Sequence, residues 1–194
     1  MTAGERAGHW LEHLDELSPL GGERRLIHWR SAAAVDPAWQ CPNSVRQWLE
    51  GGAMAERSRL RMMLASPAIF AAGWQPGWLQ FEHSNGRKVL VGDIPETDVR
   101  VRLVSACVDR WRPISGWGYE PVRDSGSDGR EKLKFGPKPV RRLVPAGGVY
   151  FFEVERGDVA QLTERWLKSV CDDEQDRRDG FGLAVWGTWT EHDR

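Results

Sequence analysis

The stretch VRRLVPAGGVYFFEV, residues 140–154, decides the fold class, because it holds two strand-like runs on either side of a glycine turn. Valine, tyrosine and phenylalanine favour β-strands, and a short glycine-containing connection between two such runs is typical of a hairpin. The sequence therefore predicts strands over 140–145 and 148–154 that pair with each other about Ala146-Gly147.

A helix and a last strand are predicted after this hairpin. Between residues 158 and 170, apolar side chains recur at helical spacing behind a capping residue, Asp158. These apolar side chains are Val159, Leu162, Trp166 and Val170. An apolar run over 183–189 then predicts a strand. Strand, hairpin, helix and strand form the second half of a β-α-β-β-α-β pattern, so we expect an α+β fold, a ferredoxin-like antiparallel sheet of the RNA-recognition type with helices on one face.

The chain before the hairpin adds further strands and one insertion. Residues 59–66 and 99–111 predict strands, the second with alternating apolar and polar side chains. Residues 116–136 combine glycine, serine, aspartate and charged side chains with almost no apolar period, which predicts a mobile insertion or a projecting hairpin. We expect a module over residues 59–194 and a separate N-terminal segment over residues 1–58.

Composition limits the classes of protein to consider. The 194 residues carry a formal net charge of −1, which excludes coating of nucleic acid through bulk charge but leaves room for a local basic surface. No run is long and apolar enough to cross a bilayer, and the N-terminus lacks the apolar core of a signal peptide, so we expect a cytoplasmic protein without membrane contact. Cys41, Cys107 and Cys171 lie too far apart for a zinc motif.

The sequence contains no motif for catalysis or for a cofactor. There is no phosphate-binding loop, no nucleophile elbow and no calcium-loop register in the acidic run 172–176, so neither a cofactor nor a metal is expected. We expect a protein that is not an enzyme.

The strongest functional signal is a basic stretch from Arg130 to Arg142, in which Glu131 is the one acid. Its cations are Arg130, Lys132, Lys134, Lys138, Arg141 and Arg142. Proline and glycine between them keep the backbone extended, so the side chains can follow the phosphates of a nucleic acid. A charged hairpin that only keeps a sheet edge soluble is the alternative.

A glycine-bracketed aromatic, Gly180-Phe181-Gly182, lies directly before the last predicted strand and after Arg177 and Arg178. Because glycine lacks a Cβ, its backbone N–H group can approach an oxyanion, and the two arginines would add charge. In this interpretation Phe181 stacks on a base. A tight turn that Phe181 anchors in the core is the alternative.

Four stretches together resemble one known family. They are LGGERRL at 20–26, RLRMMLASPAIFAAGWQPGWL at 59–79, PKPVRRLVPAGGVYFFEV at 137–154 and DDEQDRRDGFGLAVWGTW at 172–189. The combination is similar to the third subunit of the type III-B CRISPR Cmr effector complex, a member of the repeat-associated (RAMP) superfamily. The resemblance runs from about residue 20 to residue 189 and is more specific than any of its pieces.

The resemblance implies a non-catalytic RNA-binding subunit of an antiviral complex. Such a subunit holds the 5′ tag of the guide RNA and docks the large polymerase-like subunit and neighbouring backbone subunits. The RNA-binding residues are then Lys132, Lys134, Lys138, Arg141, Arg142, Arg177, Arg178, Gly180, Phe181 and Gly182. One alternative is a RAMP-type endoribonuclease that acts on repeat RNA, with His28 or His83 as the general base on the ribose 2′-hydroxyl. The other is a purely structural subunit that touches only protein.

Members of this family resemble two such modules in tandem, whereas the sequence resembles mainly the second. We therefore expect residues 1–58 to be a remnant or linker of a first module. The chain itself is then expected to be a fragment of such a subunit, or one half of a split subunit.

Overall fold

The computed structural model describes residues 17–20, 25–28, 39–51, 59–84, 86–123 and 131–189. The chain divides into two compact units, residues 1–40 and 41–194. In the first unit, strands β1 (Leu17–Leu20) and β2 (Arg25–His28) form an antiparallel pair in which Leu17 lies opposite His28.

The second unit is built mainly from antiparallel strands. They are β3 (Arg59–Leu64), β4 (Ala68–Ile69), β5 (Gln80–Ser84), β6 (Arg87–Asp93), β7 (Arg100–Cys107), β8 (Arg112–Ile114), β9 (Trp117–Arg123), β10 (Glu131–Pro137), β11 (Arg141–Val144), β12 (Val149–Arg156), β13 (Lys168–Ser169) and β14 (Leu183–Thr188). Its helices are α1 (Asn43–Gly51), a 3₁₀ helix (Val159–Thr163) and α2 (Glu174–Arg178).

These strands form three sheets. The largest has seven strands in the order β13-β14-β3-β12-β7-β6-β5. A three-stranded sheet has the order β4-β11-β8, and β9 pairs with β10 alone. Every strand pair within the described residues is antiparallel. The prediction of an antiparallel sheet is thus confirmed, and a mostly antiparallel structure with few helices is consistent with an α+β or a β-rich fold.

One face of the large sheet carries the core. Along β3 and β12 alternate side chains are buried, because successive residues of a strand point to opposite faces. The buried positions in β3, β12 and β14 are Leu60, Met62, Leu64, Tyr150, Phe152, Val154, Ala184 and Trp186. Leu49 of α1 and Leu162 of the 3₁₀ helix join the same core. On the opposite face Met63 is 41% exposed.

The predicted hairpin about Ala146-Gly147 is wrong. Strand β11 pairs with β4 and β8, whereas β12 pairs with β3 and β7. The turn between them is held by β3: the Gly147 amide donates to the Leu64 carbonyl at 2.8 Å, and the Leu64 amide donates to the Gly148 carbonyl at 2.9 Å. Because the turn bonds to a third strand, the two runs separate into different sheets.

The predicted helix over 158–170 is also wrong beyond its first turns. Asp158 does cap a helix, since its side chain accepts from the Ala160 amide, but that 3₁₀ helix ends at Thr163. Leu167 then takes a positive φ of 54°. Its amide donates to the Ala184 carbonyl at 2.8 Å, so pairing with β14 replaces further helical hydrogen bonds.

Other predicted elements are present. The strands expected over 59–66 and 183–189 are β3 and β14, and β7 covers the first part of 99–111. The insertion near 116–136 contains the antiparallel pair β9 and β10, which is the projecting-hairpin alternative. The predicted boundary between residues 58 and 59 stays a prediction, although α1, which precedes it, packs against the 3₁₀ helix. Among helices in the described part of the chain, none is long and apolar enough to cross a membrane.

We expect Phe152→Ala to destabilise the protein far more than Phe81→Ala. Phe152 is 0% exposed, whereas Phe81 is 56% exposed on the edge strand β5. Truncating a buried phenylalanine costs about 3–5 kcal/mol, and truncating an exposed one costs less than about 1 kcal/mol. Urea unfolding of the two variants measures the difference, and comparable losses would contradict the core assigned to this sheet face.

Candidate nucleic-acid interface

Strand β11 and the segment before the glycine turn meet at one groove. This open groove, of about 570 Å³, is lined by residues 69–73, by Val140, Arg141 and Arg142, and by Asp172, Asp173 and Asp176. The groove therefore brings the end of the basic stretch together with the acidic run that precedes Gly180-Phe181-Gly182, while the turn itself does not line it. The ionisable side chains of the lining are two guanidinium groups and three carboxylates, so the groove itself is not strongly cationic.

Arg141 is held by an internal carboxylate. Its Nη1 atom donates to both carboxylate oxygens of Asp176, at 2.7 and 2.8 Å. The side chain of Asp176 is 3% exposed and that of Arg141 is 47% exposed. A buried carboxylate without a partner is strongly unfavourable, so this pair ties β11 to α2 and compensates the charge of Arg141. The expectation that Arg141 binds phosphate is therefore corrected in one respect: the Arg141 guanidinium is not a free cation, because Asp176 compensates its charge.

The other two carboxylates of the groove are also engaged in hydrogen bonds. Asp172 accepts from the Ala71 amide at 2.9 Å and from the Gly77 amide at 2.8 Å, which fixes the loop that follows β4. Asp173 caps α2 and accepts from the Gln175 amide at 2.8 Å. Within the residues that the structure describes, no group of three or more His, Cys, Asp or Glu side chains is arranged to hold a metal ion.

The amides of the glycine turn donate within the protein. The Gly180 amide donates to the Arg177 carbonyl at 3.3 Å, the Phe181 amide to the Asp176 carbonyl at 3.0 Å, and the Gly182 amide to the Pro67 carbonyl at 2.7 Å. The expected oxyanion cradle of free amides is therefore not formed. Phe181 is half-buried and packs against the core. The geometry is that of the alternative interpretation, a tight turn into β14.

The two arginines before this turn have local partners. Arg177 donates from Nη1 to the Cys171 carbonyl at 2.9 Å. Arg178 forms an exposed ion pair with Glu174, one helical turn away, at 2.5 Å. Such a surface pair contributes little to stability and can exchange its partner, so Arg178 stays accessible to an anion.

Four cations near β8 and β11 differ from Arg141 in having no carboxylate partner among the described side chains, and one of them, Arg142, also lines the groove. They are Arg110, Arg112, Lys138 and Arg142, which we call the basic surface. All four are exposed, and none forms an ion pair with an acidic side chain that the structure describes. The described acidic side chains therefore do not compensate the positive charges of these four residues, whereas Asp176 compensates that of Arg141. Asp109 is the exposed acid next to them in sequence.

Backbone pairing positions the basic surface. In the register of β11 with β8, Arg142 lies opposite Pro113 and Arg141 opposite Ile114. Because adjacent residues of a strand point to opposite faces, Arg141 faces Asp176 and Arg142 faces away from it. By the same rule Arg112, which lies opposite Leu143, is on the Arg141 side of the sheet. Lys138 is fixed through its backbone, since its amide donates to the Gly116 carbonyl at 2.7 Å.

An exposed tryptophan lies within the basic surface. Trp111 is 46% exposed, and the guanidinium carbon of Arg142 lies 5.3 Å from the centroid of its ring. Lys132 and Lys134 lie on β10, opposite Val122 and Glu120 of β9, and do not belong to this cluster by register.

Sequence reasoning did not single out Arg110, Arg112 or the contact of Trp111 with Arg142. The signal present in the sequence was DRWRP at 109–113, in which cations alternate with an aromatic residue directly before a strand. Only the pairing of β8 with β11 shows that this short segment adjoins the basic stretch.

The candidate histidines of the endoribonuclease alternative lie in different units. His28 is on β2 of the first unit, and His83 is exposed on the edge strand β5 of the second. Neither residue lines the groove described above.

The fold and this interface are those of an antiparallel α+β protein with a localised basic surface, and comparison with known families defines its class. The chain matches a family model described as CRISPR-associated protein (Cas_Cmr3) over residues 1–189, so its class is that of CRISPR-associated proteins. It belongs to the Cmr3 family, whose members are subunits of the type III-B CRISPR system. The match begins at residue 1 and so extends beyond the stretch 20–189 that carries the resemblance. No curated protein and no solved structure matches the chain significantly.

Gly182→Ala is expected to destabilise the protein more than Gly180→Ala. Both glycines have positive φ, 71° and 82°, where an alanine costs about 1–2 kcal/mol. A Cβ on residue 182 would also lie 2.5 Å from the Cys171 sulfur, whereas one on residue 180 would meet nothing within 4 Å. Chemical denaturation of both variants gives the comparison, and equal stability would refute the close approach of the turn to Cys171.

Removing Arg141 should cost stability, whereas removing its neighbour should not. Arg141→Ala leaves the buried carboxylate of Asp176 without its cation, which costs about 1–3 kcal/mol. Arg142→Ala removes an exposed side chain, and its effect should stay within about 0.5 kcal/mol. The free energy of unfolding of the two variants, measured in urea, tests this division; a larger loss for Arg142→Ala would reverse the assignment.

Proposed function

We propose that this chain is a non-catalytic RNA-binding subunit of a CRISPR effector complex, which holds the 5′ tag of the guide RNA. The observation that carries the proposal is the basic surface, four exposed cations without an acidic partner among the described side chains. Phosphate groups are the ligands that such a surface attracts, and membership in the Cmr3 family of CRISPR-associated proteins supports a role in an effector complex.

The distribution of charge supports a local contact. The formal net charge of the chain is −1, so attraction through bulk charge is negligible. Lys138 and Arg142 are then the main phosphate ligands, with Arg110 and Arg112 beside them. Arg141, held by Asp176 through one nitrogen, keeps other N–H groups that can face a phosphate at the mouth of the groove.

The order of strands supports a ferredoxin-like core. Four neighbouring strands of the large sheet are β14, β3, β12 and β7, in that spatial order. Along the chain β3 is the first of these four strands, β7 the second, β12 the third and β14 the fourth, so the spatial order is 4-1-3-2. This is the order of a β-α-β-β-α-β module. The residues between β3 and β7 form strands β4, β5 and β6 in place of the first helix. The 3₁₀ helix, β13 and α2 take the place of the second.

The remaining predicted residues have supporting roles in this proposal. Arg177 and the turn Gly180-Phe181-Gly182 do not line the groove but hold the backbone beside it, through bonds to the carbonyls of Cys171 and Asp176, and Arg178 is an exposed cation of α2. Lys132 and Lys134 belong to the β9–β10 hairpin, which would extend over the RNA or over a neighbouring subunit.

Protein partners are the second part of the proposal. Trp74, Trp117 and Val140 are 44%, 61% and 68% exposed, so each offers apolar surface that a protein partner could cover. We assign them to contacts with the large polymerase-like subunit and the neighbouring backbone subunits. The complex would assemble in the cytoplasm, where guide RNA is available.

The test is RNA binding by the full chain with the cations of the basic surface reversed. We expect Lys138→Glu/Arg142→Glu to weaken binding of tagged guide RNA by ten- to a hundredfold. On single-stranded RNA, the slope of log K against log salt should fall by about 0.7 for each phosphate that the variant no longer neutralises. Filter binding at several salt concentrations measures both quantities, with RNA that lacks the tag as a second ligand.

A matched control separates a local contact from general charge. Arg87→Glu/Lys88→Glu makes the same change of charge on exposed side chains of β6, which belongs to the seven-stranded sheet and not to the sheet of β8 and β11, and should leave binding unchanged. Equal affinities of all proteins for both RNAs would contradict the proposal. Shortened RNA after the same incubation would instead favour the endoribonuclease alternative.

A further inference from the structure

Trp111 differs from the tryptophans of the core. Trp186 is 3% exposed and donates from its indole nitrogen to the Arg165 carbonyl at 3.3 Å. Trp78 packs against Phe152, with ring centroids 5.9 Å apart. Trp111 is 46% exposed and lies outside the core cluster. Its exposed area is therefore available to a ligand without rearrangement of the core.

The indole of Trp111 is positioned by the three-stranded sheet. Trp111 directly precedes β8, in which Pro113 lies opposite Arg142, and the contact of its ring with the Arg142 guanidinium places the two side chains side by side. The next residues of β11 pair with β4, where Ala68 is 0% exposed, so β11 is anchored in the core. The separation of 5.3 Å between guanidinium and ring is thus set by ordered backbone on both sides.

The surroundings of Trp111 favour a nucleic acid over a protein. Its immediate neighbours in sequence are Arg110 and Arg112, and Arg142 covers part of its ring. The centre of a protein interface is depleted in charged side chains, whereas aromatic side chains between cations are typical of single-strand binding surfaces.

We propose that Trp111, together with Arg142, forms a stacking site for one unpaired base of single-stranded RNA. The ring stacks on the base, and the cations beside it contact the flanking phosphates. Because every base has a π-face, the site tolerates different bases and recognises that the strand is unpaired. This inference rests on the proposed function and adds to it the mode in which the tag is held.

The experiment compares tryptophan variants of the full chain on tagged guide RNA. Loss of one base–aromatic stack lowers affinity by about tenfold, so Trp111→Ala should bind about tenfold more weakly, and Trp111→Phe should recover most of the loss. The salt slope of Trp111→Ala should equal that of the wild type, since every phosphate ligand is still present. Trp74→Ala, which truncates a tryptophan of similar exposure, 44%, is the matched control and should bind normally.

A scan of the RNA identifies the base itself. Each nucleotide of the tag is replaced in turn by an abasic nucleotide. At one position the replacement should weaken binding to the wild type by about tenfold and leave binding to Trp111→Ala unchanged, because that variant cannot form the stack. Circular dichroism of the variants verifies that they remain folded.

The outcomes distinguish this inference from the proposed function. If Trp111→Ala binds like the wild type while Lys138→Glu/Arg142→Glu does not, the stacking site is wrong and RNA binding by the basic surface stands. If Trp111→Ala binds RNA normally but no longer co-purifies with other subunits of the complex, the ring is a protein contact and the inference is overturned. If no variant loses affinity, both proposals fail.

Discussion

The buried carboxylate of Asp176 constrains the whole interface. It is the one charged side chain that is buried among the described residues, and Arg141 supplies its cation. The pair joins β11 of the small sheet to α2, and the Phe181 amide bonds to the carbonyl of the same aspartate. One residue therefore fixes the strand that carries the cations and the turn that leads into β14. Because a buried charge needs its partner, Arg141 cannot leave this position without a large loss of stability.

Because successive residues of a strand point to opposite faces, the two neighbouring arginines of β11 have different roles. Arg141 and Arg142 are neighbours in sequence, but the pleat directs them to opposite sides of the three-stranded sheet. On one side the guanidinium is bound by a carboxylate; on the other it lies over an exposed indole without an acid among the described side chains. A basic dipeptide thus provides one structural cation and one that is available to a ligand.

The sequence predicts the parts of this fold that depend on local pattern, and it does not predict the parts that depend on distant partners. Runs of apolar residues identify β3 and β14 as strands. The hairpin at 140–154 is wrong because the turn bonds to Leu64 of β3, and the helix after Asp158 ends early because Leu167 bonds to β14. In the site, the basic stretch is visible in the sequence, but the compensation of Arg141 by a residue 35 positions away is not.

A chain with a net charge of −1 can still present a cationic surface, because charge acts locally in salt solution. At physiological ionic strength the screening length is about 8 Å, so acids elsewhere in the second unit contribute little to the field at Lys138 and Arg142. What matters is which cations have acids within hydrogen-bonding reach. Asp172 and Asp173 accept from backbone amides, and Asp176 accepts from Arg141, so the acids nearest to β11 in the groove are already engaged. Affinity for RNA should therefore follow the number of phosphates that the basic surface neutralises, not the charge of the chain.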